Sequence, residues 1–280
     1  MSRFKFAACE WCFPTWGSLA VKMAHAAGFD GMQLGDGGGS MHAYPLRNKH
    51  VQEYYLNAGA KYNIVFPQIH LYTLGHQCYY RNRLDSPEGK LCLESIQQAV
   101  IAASEMGIPS VIIDGMRMNN AAKKQHVFSV AKYAVTIGEE YGIKIGMETD
   151  MSLEDHIVFL DALNGKLTLC FDTHNPVMYG TGYPPYMIRT LGKERMEHFH
   201  VKESQANEDG FLSVETPIVL MGEGCTFFKE SAQAVRDIGF EGWIVSENFY
   251  FRPNILENGY DYVSAAKADV ASLHATYGTD

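Results

Sequence analysis

The chain has 280 residues, 46% of them hydrophobic and 12% aromatic, enough to bury a large core, which argues against a disordered polymer. Its 23 basic and 32 acidic side chains leave a formal charge of -9, a balance that repels a phosphate backbone and argues against a nucleic-acid partner. No run approaches the roughly eighteen apolar residues of a membrane span, and MSRFKFAACEWCF has no apolar signal region behind it. The expectation is a soluble cytoplasmic protein with no membrane partner.

In chain order, the strand candidates are FKFAACEW (4–11), GFDGMQLG (28–35), YNIVFPQIHL (62–71), SVIIDGM (110–116), IKIGMET (143–149), LTLCFDTHN (167–175), MEHFHVKE (196–203) and GWIVSEN (242–248). Helical patterns lie between them: SLAVKMAHAAG, LESIQQAVIAASEMG with Gly107 as its C-cap, and KKQHVFSVAKYAVTIGEEYG ending at Gly142. FFKESAQAVRDIGFEG and DYVSAAKADVASLHATYG complete the series. Several strands are almost continuously apolar, as parallel strands covered on both faces should be. Eight strands alternating with helices predict an α/β chain folded as a (β/α)8 TIM barrel, one domain over residues 1–280. A doubly wound sheet is the rival, but the Gly-rich LGDGGGS (34–40) follows the second strand and lacks dinucleotide spacing, so it reads as a βα loop.

Six scattered cysteines do not form a disulfide framework. Cys9 and Cys12 match C-x-x-C, but they close an extended run. Three residues apart on a strand, they are expected to point to opposite faces and to carry neither a redox pair nor a zinc ion.

In a TIM barrel the chemistry lies at the C-terminal ends of the strands. Those ends are crowded with ligands here: His70 on the third, Asp114 on the fourth, Glu148 on the fifth and Asp172, His174 and Asn175 on the sixth. The seventh brings His198, His200 and Lys202, and the eighth Glu247. Carboxylates gathered at one mouth repel each other unless they are protonated or hold a cation, and a divalent metal resolves the conflict. By period-two alternation His198, His200 and Lys202 share one face, with His200 about 6.6 Å nearer the mouth than His198. His200 is therefore the better-placed ligand, and His198 fills the layer beneath. Glu148, Asp172, His200 and Glu247 make a hard, mostly oxygen donor set suited to one divalent cation, manganese or magnesium first, with cobalt, nickel or zinc as alternatives.

The pieces GMETD, FDTHNP, HFHVKE, MGEGC and GFEGWIVSEN recur in an order that resembles the xylose isomerase-like TIM barrel superfamily, closely over the second half of the chain and in βα rhythm over the first. That superfamily includes sugar isomerases, ketose 3-epimerases, inosose-converting enzymes, dehydroshikimate dehydratases and apurinic endonucleases. The resemblance implies the same four metal ligands, Glu148, Asp172, His200 and Glu247. It also implies that Glu148 and Glu247 act as the acid/base pair of an isomerase or epimerase, removing and returning a proton next to a carbonyl through a metal-stabilised enediolate. A dimer or tetramer is implied as well. Two departures set the chain apart from the ketose 3-epimerases: Asn175 stands where D-x-x-H has its histidine, with His174 one position early, and Ala206 stands where an arginine is usual.

The expected substrate is a sugar or cyclitol. His70, His174, Asn175 and Lys202 are candidates to touch its oxygens, and Glu10, Trp11 and Trp16 to form a wall beside it. A metal-dependent lyase or dehydratase is the nearest alternative, since proton removal leads to the same enolate. The three-zinc endonuclease reading lacks its extra histidines, with Asp36 at the second strand end, and a non-catalytic sugar-binding barrel has no use for two flanking glutamates.

Overall fold

A computed structural model describes residues 3–35, 44–72, 79–118, 120–207, 210, 212–213 and 216–278. The strands are β1 (Phe4–Cys9), β2 (Gly31–Gly35), β3 (Gln68–His70), β4 (Ser110–Gly115), β5 (Lys144–Thr149), β6 (Leu167–Asp172) and β7 (Met196–Val201). Then come β8 (Glu203–Ser204), β9 (Ile218–Val219) and β10 (Gly242–Ser246). Eight of them form a closed barrel in the order β1-β10-β7-β6-β5-β4-β3-β2, and β8 and β9 make a separate two-stranded ribbon. All eight predicted barrel strands are present. Asp36 and most of the Gly-rich loop lie outside the described residues. No described helix is long and apolar enough to cross a membrane.

The chain divides into two compact units. The first comprises Met1–Met32, Ala58–Val65 and Phe171–Asp280. In it β1 lies parallel to β10, with Phe4 opposite Gly242 and Ala8 opposite Ser246, and β10 lies parallel to β7, with Val245 opposite His200. Phe199 packs edge-on against Phe171 and Phe240, with centroids 6.0 and 5.0 Å apart, so the outward face of β7 is sealed by aromatic rings. Gly31 has no room for a side chain, because a Cβ there would lie 2.7 Å from the Trp243 ring and 2.8 Å from the Val65 carbonyl.

The second unit comprises Gln33–Asn57 and Phe66–Cys170. Its β2, β3, β4 and β5 are in parallel register, with His70 opposite Ile112 and Asp114 opposite Glu148. The helices Pro87–Met106 and Ala121–Tyr141 start under the side-chain caps of Ser86 and Asn120. They end at Gly107 and Gly142, both left-handed at φ 69°, as the sequence predicts.

Two predicted elements change. The strand expected over 62–71 is reduced to β3 and an isolated bridge between Gly31 and Val65. Tyr62 closes a helix, Asn63 turns left-handed, and Pro67 has no N–H to give a ladder. Residues Glu10–Cys12, expected to extend the first strand, wind into a 3-10 turn. That turn overturns the expectation that Cys9 and Cys12 point to opposite faces. Positions three apart in a 3-10 turn eclipse one another, so Cys9 and Cys12 do not diverge, and their side chains are hydrogen-bonded in the buried interior.

Candidate active site

The ends of β6, β7 and β10 are tied together by backbone bonds one step beyond the strands. Thr173 N–H donates to the His200 carbonyl at 3.0 Å, and Glu247 N–H donates to the Val201 carbonyl at 2.9 Å. Asp172, His200 and Glu247 are thereby held side by side. Each offers one ligand atom, these lie within 4.8 Å of one another, and the three residues are 3%, 0% and 6% exposed. His200 Nδ1 is 3.7 Å from Glu247 Oε2. His198 lies under His200 on the same face of β7, fully buried, with ring centroids 5.1 Å apart.

Lys202 reaches into the group. Its ammonium is 2.6 Å from Glu247 Oε2 and 3.2 Å from Asp172 Oδ2, which neutralises charge that burial makes costly. The other oxygen of Glu247 accepts the Trp11 indole N–H at 3.0 Å. Asp172 Oδ1 accepts the backbone N–H of His174 at 2.7 Å. Both carboxylates are thus oriented from outside, and their remaining lone pairs suit a hard cation. A buried trio of two carboxylates and one imidazole fits a divalent ion in hardness and in donor number.

In the second unit Glu148 ends β5. It lies opposite Asp114 of β4 and Cys170 of β6. His70 Nε2 lies 3.4 Å from Asp114 Oδ1 and 3.8 Å from Glu148 Oε2, all three residues being buried. His70 therefore bears on the carboxylate of Glu148.

The remaining expected substrate residues separate into groups. His174 bonds the Ser204 hydroxyl at 2.9 Å, and burial, reinforced by the charge on Lys202, pushes its pKa down to about 3, so the ring stays neutral. Asn175 is buried at the start of the short helix Asn175–Met178. Glu10 is fully buried and accepts the Gly17 N–H at 2.8 Å. Trp11, buried, bonds Glu247, whereas Trp16 is 43% exposed.

Sequence reasoning missed a supporting layer. Glu203, which opens β8 three residues after His200, accepts the backbone N–H groups of Gly222, Gly224 and Thr226 at 3.2, 2.9 and 3.0 Å, and the Thr226 hydroxyl as well. The turn MGEGC is thus folded around one carboxylate, which also links it to HFHVKE. Asn248, next to Glu247, accepts the Glu203 N–H at 3.1 Å and donates to Asp269 Oδ2 at 2.7 Å. The sequence signal for this layer was the glycine pair of MGEGC, which frees backbone N–H groups for a single acceptor.

The chain belongs to the xylose isomerase-like TIM barrel family, whose model matches residues 21–269. It is similar to an inosose dehydratase of Lacticaseibacillus casei, 28% identical over an alignment of 112 residues, with 36% of this chain and 36% of that protein covered. The match therefore spans about a third of the length of that curated relative. Among solved structures it resembles the IOLI protein with a bound zinc atom, at a TM-score of 0.76 and 16% identity over 98% of both chains. It also resembles a D-allulose 3-epimerase from Methylomonas sp., at a TM-score of 0.74 and 15% identity over 99% of both. These likenesses show the fold.

Proposed function

We propose that this protein is a divalent-metal-dependent isomerase or epimerase of a sugar or cyclitol. The observation that carries the reading is the buried trio of Asp172, His200 and Glu247, with ligand atoms within 4.8 Å of one another. Glu148 would supply the fourth ligand, in line with the donor set the superfamily resemblance implies. The zinc in the IOLI structure supports a metal in this family, while the hard donors here favour manganese or magnesium.

When bound, the ion supplies electrostatic stabilisation for negative charge developing on a substrate carbonyl oxygen. The side chains do the rest. One of Glu148 and Glu247 takes a proton from the carbon next to the carbonyl, and the other returns one from the opposite face. Trp11 holds Glu247 in line for this transfer through the indole N–H. His174, neutral and fixed by Ser204, is suited to donate or accept a hydrogen bond to a hydroxyl without adding charge.

The match to inosose dehydratase favours a second reading, in which the same proton abstraction is followed by loss of a β-hydroxyl as water. The test is to strip and refill the protein with manganese, count ions per chain, and follow carbon-bound deuterium uptake from heavy water into ketoses and inososes. One ion per chain with deuterium uptake and no loss of water supports the isomerase; loss of water supports the dehydratase. Glu247→Gln should retain the fold and lower exchange by about 10²- to 10⁴-fold. Near-normal exchange in that variant would refute the acid/base assignment.

A further inference from the structure

We propose that the substrate is a glycoside, and that a cavity of about 500 Å³ in the first unit receives the second sugar ring. The inference rests on the proposed sugar chemistry at Asp172, His200 and Glu247, and it specifies what is attached to the reacting sugar.

The cavity adjoins that site through His174 and Lys202, which both line it, and Lys202 is the residue whose ammonium lies 2.6 Å from Glu247. Ile218 of β9, Phe249, Arg252 and Asn254 line it as well. Asp172, His200 and Glu247 do not line it, so it is an annex rather than the seat of the reacting carbon. At the ~30 Å³ that a water molecule takes in the liquid, the space equals roughly sixteen waters. That exceeds the twelve heavy atoms of one hexose, and a pocket of this class holds a ligand larger than a monosaccharide.

The lining selects a sugar over an anion or an oily tail. Phe249 lines the cavity, with the Arg252 guanidinium over one face of its ring at 5.2 Å from the centroid, so aromatic surface and hydrogen-bond donors lie together. Asn254 lines the cavity with its amide donating to the Ile218 carbonyl, and Thr216 adds a hydroxyl. Formal charges offset one another, since Lys202 is engaged by two carboxylates and Glu257 lines the same cavity as Arg252. A pyranose has the complementary chemistry: apolar C–H faces, a rim of hydroxyls and no charge.

The test is a calorimetric titration of the manganese-loaded protein with matched pairs: glucose against maltose and cellobiose, galactose against lactose and melibiose, xylose against xylobiose. At least one disaccharide should bind about tenfold more tightly than its monosaccharide, which corresponds to roughly 1.4 kcal/mol. Phe249→Ala should reduce that advantage at least fivefold. Ile218→Trp, which adds bulk to the lining, should bring the disaccharide down to the level of the monosaccharide. The inference is overturned if every disaccharide binds no better than its monosaccharide, or if the advantage survives both variants. Tight disaccharide binding without deuterium uptake from heavy water would refute the proposed reaction and leave the cavity assignment standing.

Discussion

The ammonium of Lys202 stands 2.6 Å from Glu247 Oε2, at a lysine side chain only 12% exposed. With Asp172 Oδ2 also 3.2 Å away, one internal cation serves two of the carboxylates proposed as metal ligands.

Lys202→Met removes that cation while keeping most of the aliphatic stem. Manganese affinity should rise about tenfold, because the ion no longer competes with an ammonium. The metal-free variant should lose about 2–3 kcal/mol, since two buried carboxylates then lack a counter-charge. Calorimetric titration and urea unfolding in chelator measure the two effects. An unchanged manganese constant would show that Lys202 and the ion do not share the site.

Trp11→Phe keeps a ring in the buried position but deletes the N–H that holds Glu247 Oε1 at 3.0 Å. A hydrogen bond to a charged group contributes about 1.5–3 kcal/mol, so kcat should fall roughly 10- to 100-fold. KM and the ion count should be nearly unaffected, as expected of a positioning residue. A fall in ion count matching the fall in kcat would instead make Trp11 a support of metal binding.

Glu203→Gln replaces one acceptor oxygen with an amide NH₂ facing backbone donors. The Gly222, Gly224 and Thr226 N–H groups converge on that carboxylate, so the variant should lose about 2–3 kcal/mol in urea unfolding, with or without metal. A loss seen only in the loaded protein would mean that the turn is organised by the ion rather than by Glu203.

Asp269 is fully buried, and burial pushes its pKa from 3.8 up to about 7 despite hydrogen bonds from Met221 N–H, Asn248 and Tyr250. The folded state therefore holds a proton that the unfolded chain releases above about pH 4. Its contribution is fully present below that pH and is lost as pH rises towards 7. Asp269→Asn cannot titrate. The stability of the wild type relative to this variant should fall by a few kcal/mol between pH 4.5 and 7.5. A constant difference across that range would contradict the raised pKa.

Much of the barrel was legible in the sequence because buried parallel strands leave short apolar runs, and the polar residues that interrupt them fall at the strand ends. The pattern MEHFHVKE shows why even a side chain's direction could be read: alternation puts His198, His200 and Lys202 on one face and Glu203 on the other, whatever the rest of the chain does. The helices Leu153–Asp161 and Pro184–Leu191 were passed over. Each is short, and the proline pair that opens the second reads as a loop unless its place in the first turn is known.

Alternation could not reveal who steadies the site. Trp11 meets Glu247 across 236 positions, Glu203 meets Thr226 across 23, and Cys9 and Cys12 come together only because the chain leaves its strand for a 3-10 turn. A residue's own identity and its neighbours in sequence decide which element it joins and which way it points. Its hydrogen-bond partner is decided by which other strand end closure of the barrel brings alongside, and that information exists only once the chain has folded.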